Sequence, residues 1–174
     1  MRKSLFLIAA GGVFIITTAL PASAATGSAG PTTTTFTVTN GALTITTPNS
    51  VNLGSGAPGT TIGPTALGTV TVNDNRASAN ASWSATVSST DFTSGSQIIP
   101  ATDATYTTGT VTSTGTITIT SDPGLTLTGA AQPVVSGSAG SGNNSASWDP
   151  TIAIAVPAAA VAGLYSGVIT HSVS

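Results

Sequence analysis

Thr35-Phe36-Thr37-Val38-Thr39, followed by Asn40-Gly41 and then Ala42-Leu43-Thr44-Ile45-Thr46, is the stretch that decides the fold class. Apolar and hydroxyl side chains alternate through it, the period of a strand that buries one face. Asn-Gly is the dipeptide of tight hairpins, because both central residues of the turn need positive φ. A two-residue turn pairs Thr39 with Ala42, Val38 with Leu43 and Phe36 with Ile45. That register sets all four large apolar side chains on one face, so turn chemistry and pattern agree on a hairpin.

The same alternation recurs at 69–72, 82–87, 105–111, 116–120, 125–128, 151–156 and 164–173. Between Val111 and Ile117, Ser113-Thr114-Gly115 reads as a three-residue loop with Gly115 in the left-handed position of a bulged hairpin. Turn residues cluster at Pro48-Asn49-Ser50, at 54–59, at Ser121-Asp122-Pro123-Gly124 and in the Gly-rich stretch 136–144, while 158–162 reads as one helical turn. No stretch has helical periodicity. The expected fold is all-β, an antiparallel β-sandwich of the immunoglobulin-like or Greek-key kind. With no cysteine there are no disulfides, and the core alone must hold it.

Met1-Arg2-Lys3, an apolar run from Leu5 to Leu20, and Pro21-Ala22-Ser23-Ala24 have the layout of a secretory signal peptide cut after Ala24. The apolar run is shorter than the roughly 20 residues a spanning helix needs, and it is broken by Gly11, Gly12, Thr17 and Thr18. Residues 1–24 are therefore expected to be removed, 25–34 to form a flexible lead-in, and 35–174 to make one domain. The expected localisation is extracellular.

Only 5% of the residues are Asp, Glu, Lys or Arg, against about 25% in an average soluble domain. Once the leader is gone, Arg76 is the sole Lys or Arg, facing five Asp and no Glu. Nucleic acid and anionic membrane surfaces both require clustered cations, so neither is an expected partner. Mean hydropathy is +0.37, which argues for a packed fold rather than disorder.

The titratable inventory is equally thin. Asp74, Asp91, Asp103, Asp122 and Asp149 lie beside turn residues or at strand ends, where Asp usually caps a turn. His171 has no nucleophile elbow to serve, and within Tyr165-Ser166-Gly167-Val168-Ile169-Thr170-His171-Ser172-Val173 it shares a face with Tyr165, Gly167, Ile169 and Val173. It reads as a neutral packing residue. Asn73-Asp74-Asn75 resembles a piece of a calcium loop without the remaining ligands. No catalytic residues, metal site or cofactor are expected, and the chain reads as a non-enzyme. Trp83, Trp148, Tyr165 and His171 remain as tentative binding residues. Trp83 reads as core by default, whereas Trp148, in Ser147-Trp148-Asp149-Pro150, stands at a loop-to-strand junction where a ring can stack on a sugar.

Leu67-Gly68-Thr69-Val70-Thr71-Val72-Asn73-Asp74-Asn75-Arg76, then Ser82-Trp83-Ser84-Ala85-Thr86-Val87 and Thr90-Asp91-Phe92, resembles the first motif region of WxL-type surface domains of Gram-positive bacteria. Tyr165 to Val173 resembles their closing strand. In that family a V-x-D-x-R segment leads into a first Trp-x-Leu motif, and a second Trp-x-Leu ends the domain. Here the two motifs read Trp83-Ser84-Ala85 and His171-Ser172-Val173, so one of four signature side chains is kept. Asp74, Arg76, Trp83, Phe92, Tyr165 and Ile169 occupy family-like places. The resemblance implies an extracellular β-domain bound non-covalently to peptidoglycan or another wall glycopolymer, with other surface proteins as further partners. Asp74 and Arg76 read as a structural pair; a pair at the surface would contribute at most about 1 kcal/mol. The alternative function is a structural, self-associating subunit of a surface layer or fibre, since Thr/Val/Ile strands without Lys leave their edges unguarded.

Overall fold

A computed structural model describes residue 27 and residues 30–174. The expected signal peptide, and residues 25, 26, 28 and 29 of the expected lead-in, lie outside the described residues. Residues up to Phe36 form one unit, of which those described are exposed and belong to no strand; Thr37–Ser174 form the other.

The second unit is all-β and antiparallel. Its strands are β1 (Leu43–Thr46), β2 (Thr61–Ala66), β3 (Val70–Ser89), β4 (Phe92–Ser94), β5 (Gln97–Ile99), β6 (Ala104–Thr107), β7 (Val111–Ser121), β8 (Gly124–Thr126), β9 (Gln132–Trp148), β10 (Thr151–Ala155) and β11 (Ile169–Val173). One sheet has the order β1-β3-β9-β7, with β11 also paired to β3; the other has the order β2-β10-β6-β8, and β4 and β5 form a separate hairpin. The two larger sheets share one core: Val70, Val72, Trp83, Ala85 and Val87 of β3 and Trp148 of β9 cluster with Tyr106 of β6 and Ile152 and Ile154 of β10. This is the expected sandwich. Among the described residues no helix is long and apolar enough to cross a membrane.

The alternation predicts which side chains go inward better than it predicts which strands pair. Leu43 and Ile45 are half-buried as expected, but β1 pairs with β3, Leu43 opposite Asp74 and Ile45 opposite Val72. The Asn40-Gly41 hairpin does not form. Phe36 is 89% and Val38 74% exposed, and Gly41 instead donates its N–H to the Asn75 carbonyl at 2.7 Å. The long-range partner β3 offers a buried apolar face that the local hairpin lacks. A two-stranded ribbon alone is marginal in water, so the longer ladder wins.

Ser113-Thr114-Gly115 is likewise not a loop. It lies inside β7, where Gly115 does take the left-handed conformation (φ +74°) and the register against β9 shifts. The glycine signal was for a bulge within one long strand. Stretch 136–144, expected as a turn, is strand in β9, whose small residues let it pass beneath bulky neighbours: a Cβ on Gly137 would lie 2.6 Å from Cε2 of Trp83. The closing strand is Ile169–Val173 only, residues 158–162 make a turn rather than a helical turn, and Thr108-Gly109-Thr110 separates β6 from β7.

Gly137→Ala should therefore destabilise the domain by about 1–3 kcal/mol through overpacking against the Trp83 indole. Gly129→Ala, where an added Cβ meets nothing within 4 Å, is the control and should stay within about 0.5 kcal/mol of the parent. Urea unfolding of both variants measures the difference, and equal midpoints would refute this close packing.

Candidate functional site

Two polar clusters interrupt the apolar interior, and between them they take in most of the residues the sequence singles out. The first grows from Asp74. Being on the inward face of β3, its carboxylate is 0% exposed, which without a partner would cost several kcal/mol. Arg76 supplies the partner from two residues away: its Nε donates to Asp74 Oδ1 at 2.9 Å, one terminal nitrogen donates to Oδ2 at 2.9 Å, and its backbone N–H donates to Oδ1 at 3.1 Å. The same terminal nitrogen donates to the Ser82 carbonyl at 2.7 Å. The guanidinium thus bridges the stretch of β3 in which the register against β9 shifts repeatedly and Ala77 takes positive φ. Across the sheet, Asn144 sits opposite Asp74 and accepts from Trp83 Nε1 at 3.4 Å.

The structural pair is bidentate, its carboxylate fully buried and its guanidinium side chain 35% exposed. Removing Arg76 would leave the Asp74 charge buried without its partner. The Arg76 side-chain hydrogen bonds, above all, hold the Asp74 carboxyl below the ordinary carboxylate range; burial opposes them, and the Arg76 charge and the Asn144 amide reinforce them. Asp74 is thus committed to Arg76 rather than to the calcium loop that its Asn neighbours resemble. Among the described residues no three Asp or His side chains gather to hold a metal.

The second cluster joins the two sheets. Trp148 of β9 donates its Nε1–H to the Tyr106 hydroxyl at 3.0 Å, and that hydroxyl lies 3.0 Å from His171 Nε2. An indole N–H can only donate, so the Tyr106 oxygen accepts there; toward His171 the phenol donates to Nε2 when the imidazole proton is on Nδ1 and accepts when it is on Nε2. The Tyr106 and His171 rings tilt at 55° with centroids 5.6 Å apart. Burial pushes the Tyr106 phenol up to about 12 and the His171 imidazole down to about 4, so both are neutral near pH 7.

Trp83 and Trp148 are 3% and 1% exposed, so neither ring presents a face to a ligand, and the sugar-stacking role considered for Trp148 has no surface to act through. Tyr165 stands apart from both clusters, half-buried outside β11, with its hydroxyl donating to the Val161 carbonyl at 2.9 Å. Sequence reasoning passed over Tyr106 and Asn144. Tyr106 was legible: alternation in Thr105-Tyr106-Thr107 points it inward, and an inward phenol needs a partner. Asn144 was hidden in what reads as a turn.

The solvent face of the five-stranded sheet has a different character. Thr46, Thr71, Ser147 and Thr112 line up across β1, β3, β9 and β7, and Thr44, Asn73, Ser145 and Thr114 form the next row. Further along, Ser84, Ser136 and Thr120 repeat the pattern, with Thr170 and Ser172 on β11. No charged side chain interrupts these rows, and Pro133 of β9 stands opposite Thr86 in the row that Ser172 begins. Some hydroxyls pair with each other, Thr71 with Ser147 at 2.9 Å and Thr114 with Ser145 at 2.7 Å, which orders them. Their repeat is about 4.8 Å across strands and about 6.8 Å along them. A shallow depression of about 480 Å³ lies beside Asp91 and Ser166, where Asp91 Oδ1 is already taken by the Ala101 N–H at 2.8 Å.

Arg76→Ala should cost about 3 kcal/mol, well above the effect of Asp122→Ala at an exposed turn, and chemical denaturation of the two variants makes the comparison. The histidine has its own signature. His171 has a folded-state pKa of about 4 against 6.5 in the unfolded chain, so the unfolded chain binds the proton first as pH falls. Stability should decline between pH 6.5 and 4 by on the order of 2 kcal/mol and gain no further histidine dependence below that. Asp74 acts lower, its contribution being lost as pH falls from the ordinary carboxylate pKa through its depressed folded value. Melting curves of His171→Phe should lose the upper step and keep the lower one; an unchanged profile would place the acid sensitivity elsewhere.

No family model, no curated protein and no solved structure matches this chain.

Proposed function

We propose that the chain is a secreted, non-enzymatic domain that holds a neutral cell-wall polymer, peptidoglycan or another wall glycan, non-covalently on the outer face of its five-stranded sheet. The observation that carries this reading is the composition of that face: ordered rows of Thr, Ser and Asn without a charge. Glycan hydroxyls are donors and acceptors at once, and so are these side chains, so the two surfaces can exchange water-mediated and direct hydrogen bonds along their length. Recognition depends on hydroxyls and amides, because the indoles are buried and the one cation outside the leader is committed to Asp74. The leader-like start of the chain and the resemblance to wall-associated WxL-type domains support the same location.

Co-sedimentation with purified cell walls tests it. Binding should change less than about threefold between low and high salt, because the sole described cation, Arg76, is already paired with Asp74. Thr46→Asp and Thr114→Asp together, one at each margin of the hydroxyl rows, should weaken it at least about tenfold, while Thr105→Asp with Thr107→Asp on the other sheet should leave it unchanged. Equal losses from the two pairs, or steep salt dependence, would overturn the assignment.

A further inference from the structure

We propose that residues 32–39 of one copy of the chain add as an extra strand to the free edge of β7 in a second copy, so that copies join head to tail. This is independent of the wall-polymer reading.

The donor is the stretch from which the sequence predicts a hairpin. Thr35-Phe36-Thr37-Val38-Thr39 has strong strand preference and strict alternation, yet among the described residues it pairs with no strand, and both its apolar side chains, Phe36 and Val38, are left to solvent. The acceptor is the terminal strand of the larger sheet. β7 pairs with β9 on one side and, among the described residues, with no strand on the other. Its second half is Thr116-Ile117-Thr118-Ile119-Thr120, with both isoleucines half-buried and the threonines exposed.

The two segments carry the same pattern with the same parity. Laid edge to edge, Phe36 and Val38 cover the open flank of Ile117 and Ile119, an aromatic and aliphatic match to β-branched neighbours, while Thr35, Thr37 and Thr39 extend the hydroxyl rows of the outer face. Neither segment contains a charge or a proline to block pairing. Other sheet edges are less inviting: β2 carries Pro64, and β1, β8 and β11 have only three to five residues each. Donor and acceptor are different surfaces of one chain, so the contact is heterologous and propagates into an open polymer unless it closes into a ring.

The absence of cysteine makes the test clean. Thr37→Cys and Thr118→Cys are made as separate variants of the full chain, mixed and oxidised; adjacent strands bring Cα atoms within the disulfide range of about 4.4–6.8 Å. The expected product is a 37–118 disulfide between different copies, with neighbouring positions 35 and 39 tried for register. Sedimentation velocity of the cysteine-free chain should show mass rising with concentration, and Phe36→Ser with Val38→Ser should weaken association at least about tenfold without lowering the melting temperature. Three results would overturn the proposal: a monomer at every concentration, polymers that persist in the Phe36→Ser, Val38→Ser variant, or a Thr37→Cys, Thr118→Cys double variant that closes within one chain.

Discussion

A buried carboxylate is the constraint on which the larger sheet depends. Asp74 occupies an inward position of β3, where alternation would otherwise place an aliphatic residue, and it is tolerable there because Arg76 reaches both of its oxygens. The same guanidinium holds the Ser82 carbonyl, so one interaction neutralises the charge and clamps the irregular segment between the two regular halves of β3. Those halves have different neighbours on one side: β1 pairs with Leu43 opposite Asp74, and β11 pairs with His171 opposite Val87. A change in length or path between them would misplace one strand relative to the other. Arg76, the sole Lys or Arg among the described residues, keeps its side chain 35% exposed while its donors reach inward to a fully buried carboxylate, where an ion pair is screened less than one wholly at the surface.

The Trp148–Tyr106–His171 hydrogen-bond chain does for the space between the sheets what the ion pair does within one. Apolar contact between two twisted sheets is non-directional and permits sliding. Polar tips at hydrogen-bonding distance permit one arrangement, and their low-dielectric surroundings make misalignment costly. Both devices face inward, which leaves the outer surface to hydroxyls. The two proposed partners follow from that: a neutral polymer on the face and a second copy at the edge.

The class of fold and the inward face of most strands were legible because they follow from period-two patterning, a property of the chain's own covalent geometry. Trp83, Val72, Val87 and Ile152 are buried where alternation puts them, and Asp74 and Arg76 are adjacent enough in sequence to suggest a pair. The neutral character of His171 also follows from its place on an apolar strand face. Pairing was not legible. Asn40-Gly41 carries strong hairpin chemistry, yet Leu43 and Ile45 pair with β3, because a partner far along the chain buries more surface than the local one. Gly115 signalled its left-handed conformation and a bulge, but the bulge lies within one long strand rather than in a hairpin loop.

By itself, then, the sequence determined the all-β architecture, the scarcity of charge and the facing of side chains, all of which depend on residue chemistry and local periodicity. Tertiary structure alone decided which strands are neighbours, that Asp74 is fully buried, and that Trp148, Tyr106 and His171 meet although 65 residues separate the last two. The physical reason is that contacts between distant strands are chosen by competition among alternatives of similar local preference. The winner is the arrangement that buries the most apolar surface while leaving the fewest polar groups unpaired, and that sum is taken over the whole molecule rather than over any one stretch.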